Sequence, residues 1–317
     1  MRTATGFLST LSTLPAVAGV FLAFAGAAAG ADKPAAALDT AAIEEATGAK
    51  GALDAKEGVF KVTLPRGDIK ATAGGVRMTP PMGLGAWAAF TRAGKHTMVM
   101  GDIVLLEDQV NPVMSAALDG GLEVTALHNH FFWDTPKIMF MHVGGMGDEK
   151  TLAAAVGKVF ARLKETAGGK GEVLHADIDP AKTTLVPAKI EALLGGYKGE
   201  LKDGVYKVVI GRTTKMGGMA GGHTVGKQMG INTWAAFGGS DEKAVVDGDF
   251  AMLESELQPV LKALRAGGID VVAIHNHMTN ENPRIMFLHY WGIGATEALA
   301  KTLKSALDKT KHLPPAP

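Results

Sequence analysis

Hydrophobic and polar positions alternate along residues 58–64 (GVFKVTL) and again along residues 204–210 (GVYKVVI). A period of two carried by β-branched and aromatic residues predicts a strand in each place. Elsewhere the period lengthens. Leu257, Val260, Leu261 and Leu264 recur at three- and four-residue spacing, which predicts a helix stopped by Gly267 and Gly268. Extended along the chain, the pattern gives a short helix (AAIEEATG; AKIEALLGG), a strand, and a glycine- and methionine-rich loop. Two strands follow (AWAAFTRAG and HTMVMGDIVLL; TWAAFGG and AVVDGDFAML), then a helix, a strand–turn–strand hairpin and a closing amphipathic helix. The last part reads β-α-β-β-α, the split arrangement of ferredoxin-like folds. The expected class is α+β: two homologous repeat units, each an antiparallel sheet with helices packed on it.

The order appears twice because the chain repeats itself at an offset of 147 residues. Ile43 matches Ile190, Trp87 matches Trp234, Phe90 matches Phe237, and Gly101-Asp102 matches Gly248-Asp249. Two long units argue for a duplicated domain rather than a solenoid, and duplicated domains usually pack about a pseudo-two-fold axis. The expected division is a signal peptide at 1–31, a leader at 32–39, one unit at 40–167, a linker at 168–186, a second unit at 187–311 and a tail at 312–317.

Composition narrows the classes of function. The 32 basic and 32 acidic residues cancel, so no general electrostatic case exists for nucleic acid or an anionic membrane surface. There is no cysteine, which excludes disulfides, thiolate chemistry and cysteine-ligated metals. Met1-Arg2, the apolar run from Pro15 to Ala31 and small residues before Asp32 fit an export signal, so the expected location is secreted or periplasmic. An uncleaved membrane anchor is the other reading of that run. No other stretch is long enough to span a bilayer.

The densest chemistry lies in the hairpin. GLEVTALHNHFFWDTPKIMFMHVGG (121–145) and GIDVVAIHNHMTNENPRIMFLHYWG (268–292) are identical at twelve of twenty-five positions, and both keep three histidines. Side chains alternate faces along a strand, so His128 and His130 share a face. If opposed positions of the hairpin sum to an even number, His142 joins them, and the same parity gathers His275, His277 and His289. A turn centred near Thr135 or Pro136 supplies such a register; a slip of one residue undoes it. Three imidazoles of this kind make a platform for a divalent transition metal: Zn²⁺ first, Cu²⁺ or Fe²⁺ as alternatives, with a fourth position left for water or substrate. Asp134 and Glu281, at equivalent turn positions, are candidates for a fourth ligand or a general base acting on metal-bound water. The alternative is a hydrogen-bonded histidine cluster that only supports the hairpin.

Other features change the picture little. Met216, Met219, His223 and Met229 suit copper in an exported protein, or else serve as gap-fillers in a glycine loop. Trp87, Trp234, Phe90 and Phe237 read as core or pocket wall. Gly101-Asp102 and Gly248-Asp249 read as turns between strands, from which a carboxylate could reach the metal. There is no Walker A loop, no G-x-S-x-G element and no supporting pattern for an HNH nuclease.

The segment INTWAAFGG, then GDF, Glu254 and Pro259, then the second histidine segment and its alanine-rich helix, resembles the LppY/LpqO family of exported bacterial proteins. The resemblance covers both units. That family is a domain of unknown function, so the resemblance implies export but no reaction or substrate. Some members are lipoproteins; without cysteine, this chain cannot carry a lipobox anchor. The function these residues point to is metal-dependent hydrolysis or related chemistry on a small polar molecule. The alternative is a non-enzymatic envelope module that binds a ligand or a metal such as copper.

Overall fold

A computed structural model describes residues 37–169, 171, 173–218 and 221–312. The expected signal peptide and most of the leader and tail lie outside those residues.

The first half runs α1 (Thr40–Thr47), β1 (Gly51–Asp54), β2 (Val59–Pro65), β3 (Thr72–Ala73), β4 (Val76–Arg77), β5 (Gly85–Ala93) and β6 (His96–Leu106). It continues with α2 (Glu107–Asp119), β7 (Glu123–His128), β8 (Asp134–Thr135), β9 (Ile138–Gly147) and α3 (Glu149–Glu165). The second half repeats the order: α4 (Pro187–Leu193), β10 (Gly199–Lys202), β11 (Val205–Gly211), β12 (Thr214–Met216), β13 (Thr224–Val225), β14 (Asn232–Gly239) and β15 (Ala244–Leu253). It ends with α5 (Glu254–Ala266), β16 (Asp270–His275), β17 (Glu281–Asn282), β18 (Ile285–Gly294) and α6 (Thr296–Leu307).

Twelve strands form one sheet that spans both halves, in the order β1-β2-β5-β6-β9-β7-β16-β18-β15-β14-β11-β10. The neighbours pair antiparallel throughout. Under the 147-residue offset this order is a palindrome. Its centre is the pair Leu127↔Ile274, in which a residue meets its own counterpart. Antiparallel pairing of equivalent strands is the relation a local two-fold axis through the sheet produces.

One face of the sheet is dry. Phe60, Val62, Phe90, Ile103 and Leu105 of the first half share a core with Val113, Met114, Val156 and Phe160 of its helices. Tyr206, Phe237, Phe250, Leu261 and Leu303 do the same in the second. This follows from the alternation: on β2, Phe60 and Val62 are buried while Lys61 and Thr63 face out. The halves are also laced by two equivalent side chains. Asn111 on α2 accepts from the Val271 N–H and donates to its carbonyl, and Gln258 on α5 does the same for Val124. Each amide thus acts as a one-residue strand beside a break in the ladder.

Two expectations need correcting. The glycine- and methionine-rich segments are not plain loops; they supply β3 and β4, or β12 and β13, to small sheets completed by β8 or β17. Gly101-Asp102 and Gly248-Asp249 are not turns but lie inside β6 and β15. Glycine is used at these places because a Cβ on Gly101 would sit 2.8 Å from the Trp87 carbonyl, and one on Gly248 2.3 Å from the Trp234 carbonyl.

Candidate metal centre

A bulge, not a tight turn, brings the histidines together. At its start β7 pairs with β9 as Val124↔Val143; past Thr125 the register becomes Ala126↔His142 and His128↔Phe140. The sum of opposed positions changes from odd to even at that one extra residue. Val124 and Leu127 therefore both enter the core, while Ala126 and His128 turn to the other face. The second half has the same shift at Val272, after which Ala273 meets His289 and His275 meets Phe287. Between the paired strands the chain leaves the main sheet, pairs β8 with β3 (or β17 with β12), and returns. Thr135 and Pro136 thus lie in an excursion rather than at a hairpin apex.

In the first half the His128 ring centroid lies 5.1 Å from those of both His130 and His142. His130, beyond the end of β7, stacks on the buried Phe140 at 3.4 Å. In the second half His275 lies 5.0 Å from His277 and 4.9 Å from His289, and His277 stacks on Phe287 at 3.5 Å. Packing on these phenylalanines fixes each loop histidine where strand pairing no longer reaches.

An aspartate on the neighbouring strand lies beside each group, and among the described residues only the second half gathers three ligand atoms closely. Asp102 is directly opposite His142, and Asp249 directly opposite His289. Asp102 Oδ1 lies 4.0 Å from His142 Nδ1, and Asp249 Oδ2 lies 3.7 Å from His277 Nε2. The second group is the tighter. The Nε2 atoms of His275 and His277 are 3.1 Å apart, and ligand atoms of Asp249, His275 and His277 all fall within 4.8 Å of one another. Asp249 Oδ1, Asp102 Oδ1 and His275 Nδ1 are buried without a hydrogen-bond partner. Burial raises the Asp249 carboxyl to about 7, with Asp247 adding to the effect. Burial lowers the pKa of His130, His275 and His277, which favours the neutral, metal-ligating imidazole. Unpaired buried acceptors beside neutral imidazoles make a donor set suited to a divalent cation.

Trp87 and Trp234 stand on the outer side of these aspartates, one strand further along, each under a lysine (Lys61 or Lys207) 4.0 Å from its ring. They wall the site, whereas Phe90 and Phe237 belong to the core. Asp134 and Glu281 are otherwise engaged. Asp134 accepts from Lys137 Nζ at 2.6 Å and the Ile138 N–H at 2.7 Å; Glu281 accepts from the Ile285 N–H at 3.3 Å and keeps Oε2 unpaired. Both tie the excursion to the start of the returning strand. The sequence signal that picks out Asp102 and Asp249 instead is their repetition at the 147-residue offset inside an alternating strand.

No curated protein matches the chain. A trimeric bacterial microcompartment shell protein, PduB, is similar over 84% of this chain and 97% of its own at 12% identity, with a TM-score of 0.21. At that score the likeness supports no statement about fold or function. The family described as Domain of Unknown Function (DUF1259) matches twice, at residues 41–162 and 188–309, and this chain belongs to that family as a tandem pair of its domains.

Proposed function

We propose that this is an exported metal-binding protein with one transition-metal centre per half, zinc first and copper or iron as alternatives. His128, His130 and His142 with Asp102 form one centre; His275, His277 and His289 with Asp249 form the other. The observation that carries the reading is the buried, partnerless Asp249 Oδ1 beside imidazole nitrogens 3.1 Å apart. Leaving a buried acceptor unpaired costs about 1–3 kcal/mol, and a cation at that point removes the cost. Export rests on the N-terminal pattern and the LppY/LpqO resemblance. The order β5-β6-β9-β7, with α2 and α3 on one face, suits a ferredoxin-like core in each half.

The centres lie half-exposed on the face opposite the helices, so a cation there has room for water or a ligand. A metal-activated water attacking a small polar substrate is the simplest chemistry for such a centre. For handling the proton we place Asp249 ahead of Asp134 and Glu281, because it approaches His277 while they cap the excursion. One observation favours a binding module instead. An open cleft of about 780 Å³ between Asn111, Arg162, Val271 and Trp291 is lined by none of the six histidines, so the centres do not share this concave volume.

Metal analysis of protein from the exported fraction tests the reading. Two equivalents per chain are expected, falling by one in His128→Ala/His142→Ala and by one in His275→Ala/His277→Ala. Unchanged content in both variants would discard it.

A further inference from the structure

The two centres flank the middle of the sheet, where Leu127 pairs with Ile274. Antiparallel alternation carried one residue to either side of that pair sets Ala126 near His275 and His128 near Ala273. Continuing outward, Ala126 is opposite His142, and Ala273 is opposite His289. Two parallel rows result on the open face: His142–Ala126–His275 and His128–Ala273–His289. Each row joins a histidine of one half to a histidine of the other across a single alanine. Strand spacing of about 4.8 Å puts the histidines of a row roughly 10 Å apart.

The surroundings are one-sided. Outward, each centre is closed by its aspartate and then by Trp87 or Trp234. Inward, the strand position between the two histidines of each row is Ala126 or Ala273, both half-exposed. No charge or hydrogen-bonding side chain rises between the rows at those two positions. Cations held by these residues would be approached over a common floor that carries the alanines.

We infer that the two centres form one composite site for a single elongated ligand. That ligand carries an anionic oxygen-donor group at each end and an uncharged middle that lies over Ala126 and Ala273. This rests on the metal reading above and adds that the halves act on one molecule together. Linking two donor groups makes the second contact intramolecular, so affinity rises steeply when the spacer matches the span and falls away on either side.

The test uses the zinc-loaded protein and a series of straight-chain α,ω-dicarboxylates, with monocarboxylates of equal length as controls, in calorimetric titrations. Zinc is counted first. The inference expects one dicarboxylate per chain, bound at least about tenfold more tightly than its monocarboxylate, with the affinity peaking at one spacer length rather than rising steadily with length. Ala126→Phe, and separately its two-fold equivalent Ala273→Phe, should remove the advantage while two zinc ions per chain remain. Two zinc ions with no gain over the monocarboxylate at any length would overturn the bridging and leave the centres standing. So would an advantage that survives both phenylalanines in folded, zinc-replete protein. Zinc absent from the wild-type protein would overturn the centres and the bridging together.

Discussion

Each half has a buried arginine just after β2 or β11 and uses it differently. In the first, Arg66 forks onto Asp68, donates to the Val104 carbonyl, and meets the neutral Gln109 at 2.9 Å. In the second, Arg212 forks onto Glu256, which stands where Gln109 does, and reaches the Ala251 carbonyl. Gln109 and Glu256 also do one job in common: each side chain accepts from the backbone N–H that begins its helix, Leu106 or Leu253. The counter-charge has moved from a partly exposed loop to a buried helix end. What stays fixed is the demand of the backbone; what varies is the side chain that meets it. The same division appears at the centres. Both halves keep the bulge, the three histidines and the aspartate, but beside His130 the first carries Phe132 and Trp133, 73% and 82% exposed, where the second carries Thr279 and Asn280.

The largest separation between the halves should come from the arginines. Arg212→Met strands Glu256 in a buried place and should cost about 3–5 kcal/mol, whereas Arg66→Met leaves a neutral amide and a solvated Asp68 and should cost about 1–3 kcal/mol. Urea unfolding of the two variants decides it; equal losses would refute the comparison. The pair also sets a pH dependence. Burial alone would raise the Glu256 carboxyl, but Arg212 and the Leu253 and Lys311 N–H groups outweigh it and hold its pKa below the usual range. A carboxyl depressed in the folded state adds stability that is present above its unfolded pKa and lost as the pH falls through the folded one. Replacing Glu256 with Gln should flatten the acid limb of the stability curve, and an unchanged limb would assign it to other groups.

A smaller difference should appear at the strand glycines. Gly248→Ala meets Tyr290 at 2.1 Å and the Trp234 carbonyl at 2.3 Å, while Gly101→Ala meets only the Trp87 carbonyl at 2.8 Å and Val143 at 3.0 Å. Overpacking of this kind costs roughly 1–3 kcal/mol, and the second half should suffer more. Thermal unfolding ranks the two, and the reverse order would mean Tyr290 swings aside. Asn111→Ala and Gln258→Ala, in contrast, should lose similar amounts, about 1–2 kcal/mol each, because each frees one N–H and one carbonyl of the opposite half. A large inequality would show that the lacing is not symmetric. The smallest effect is a gain. Trp133 holds φ at +57° where its counterpart Asn280 holds +67°. Asparagine tolerates that region better, so Trp133→Asn should stabilise by up to about 1 kcal/mol. A loss would mean the exposed indole packs on something in solution.

Much of this was legible without coordinates. Strands and helices followed from period two and period 3.6 because burial on one face imposes those periods on any chain. The duplication was visible because 147 separates equivalent residues throughout the histidine segments. Parity could say that the histidines converge only if opposed positions sum to an even number. It could not say how, since the extra residue at Thr125 or Val272 has no distinctive letter and its effect is felt only when β9 or β18 lies alongside. Asp102 and Asp249 were misplaced for a related reason. Gly-Asp is common turn chemistry, and what keeps it extended here is the carbonyl of Trp87 or Trp234 pressing where a Cβ would be.

The sequence by itself determined the elements, the repeat and the chemical character of the site, because those reside in side-chain type and local spacing. Tertiary structure decided which carboxylates stand by the imidazoles and how the halves meet. Leu127 faces Ile274 through a pairing between residues far apart in the chain, and no local preference fixes the register of such a pair. Register across the sheet is set by the packing of the whole, and it is register that puts two histidine groups on one floor.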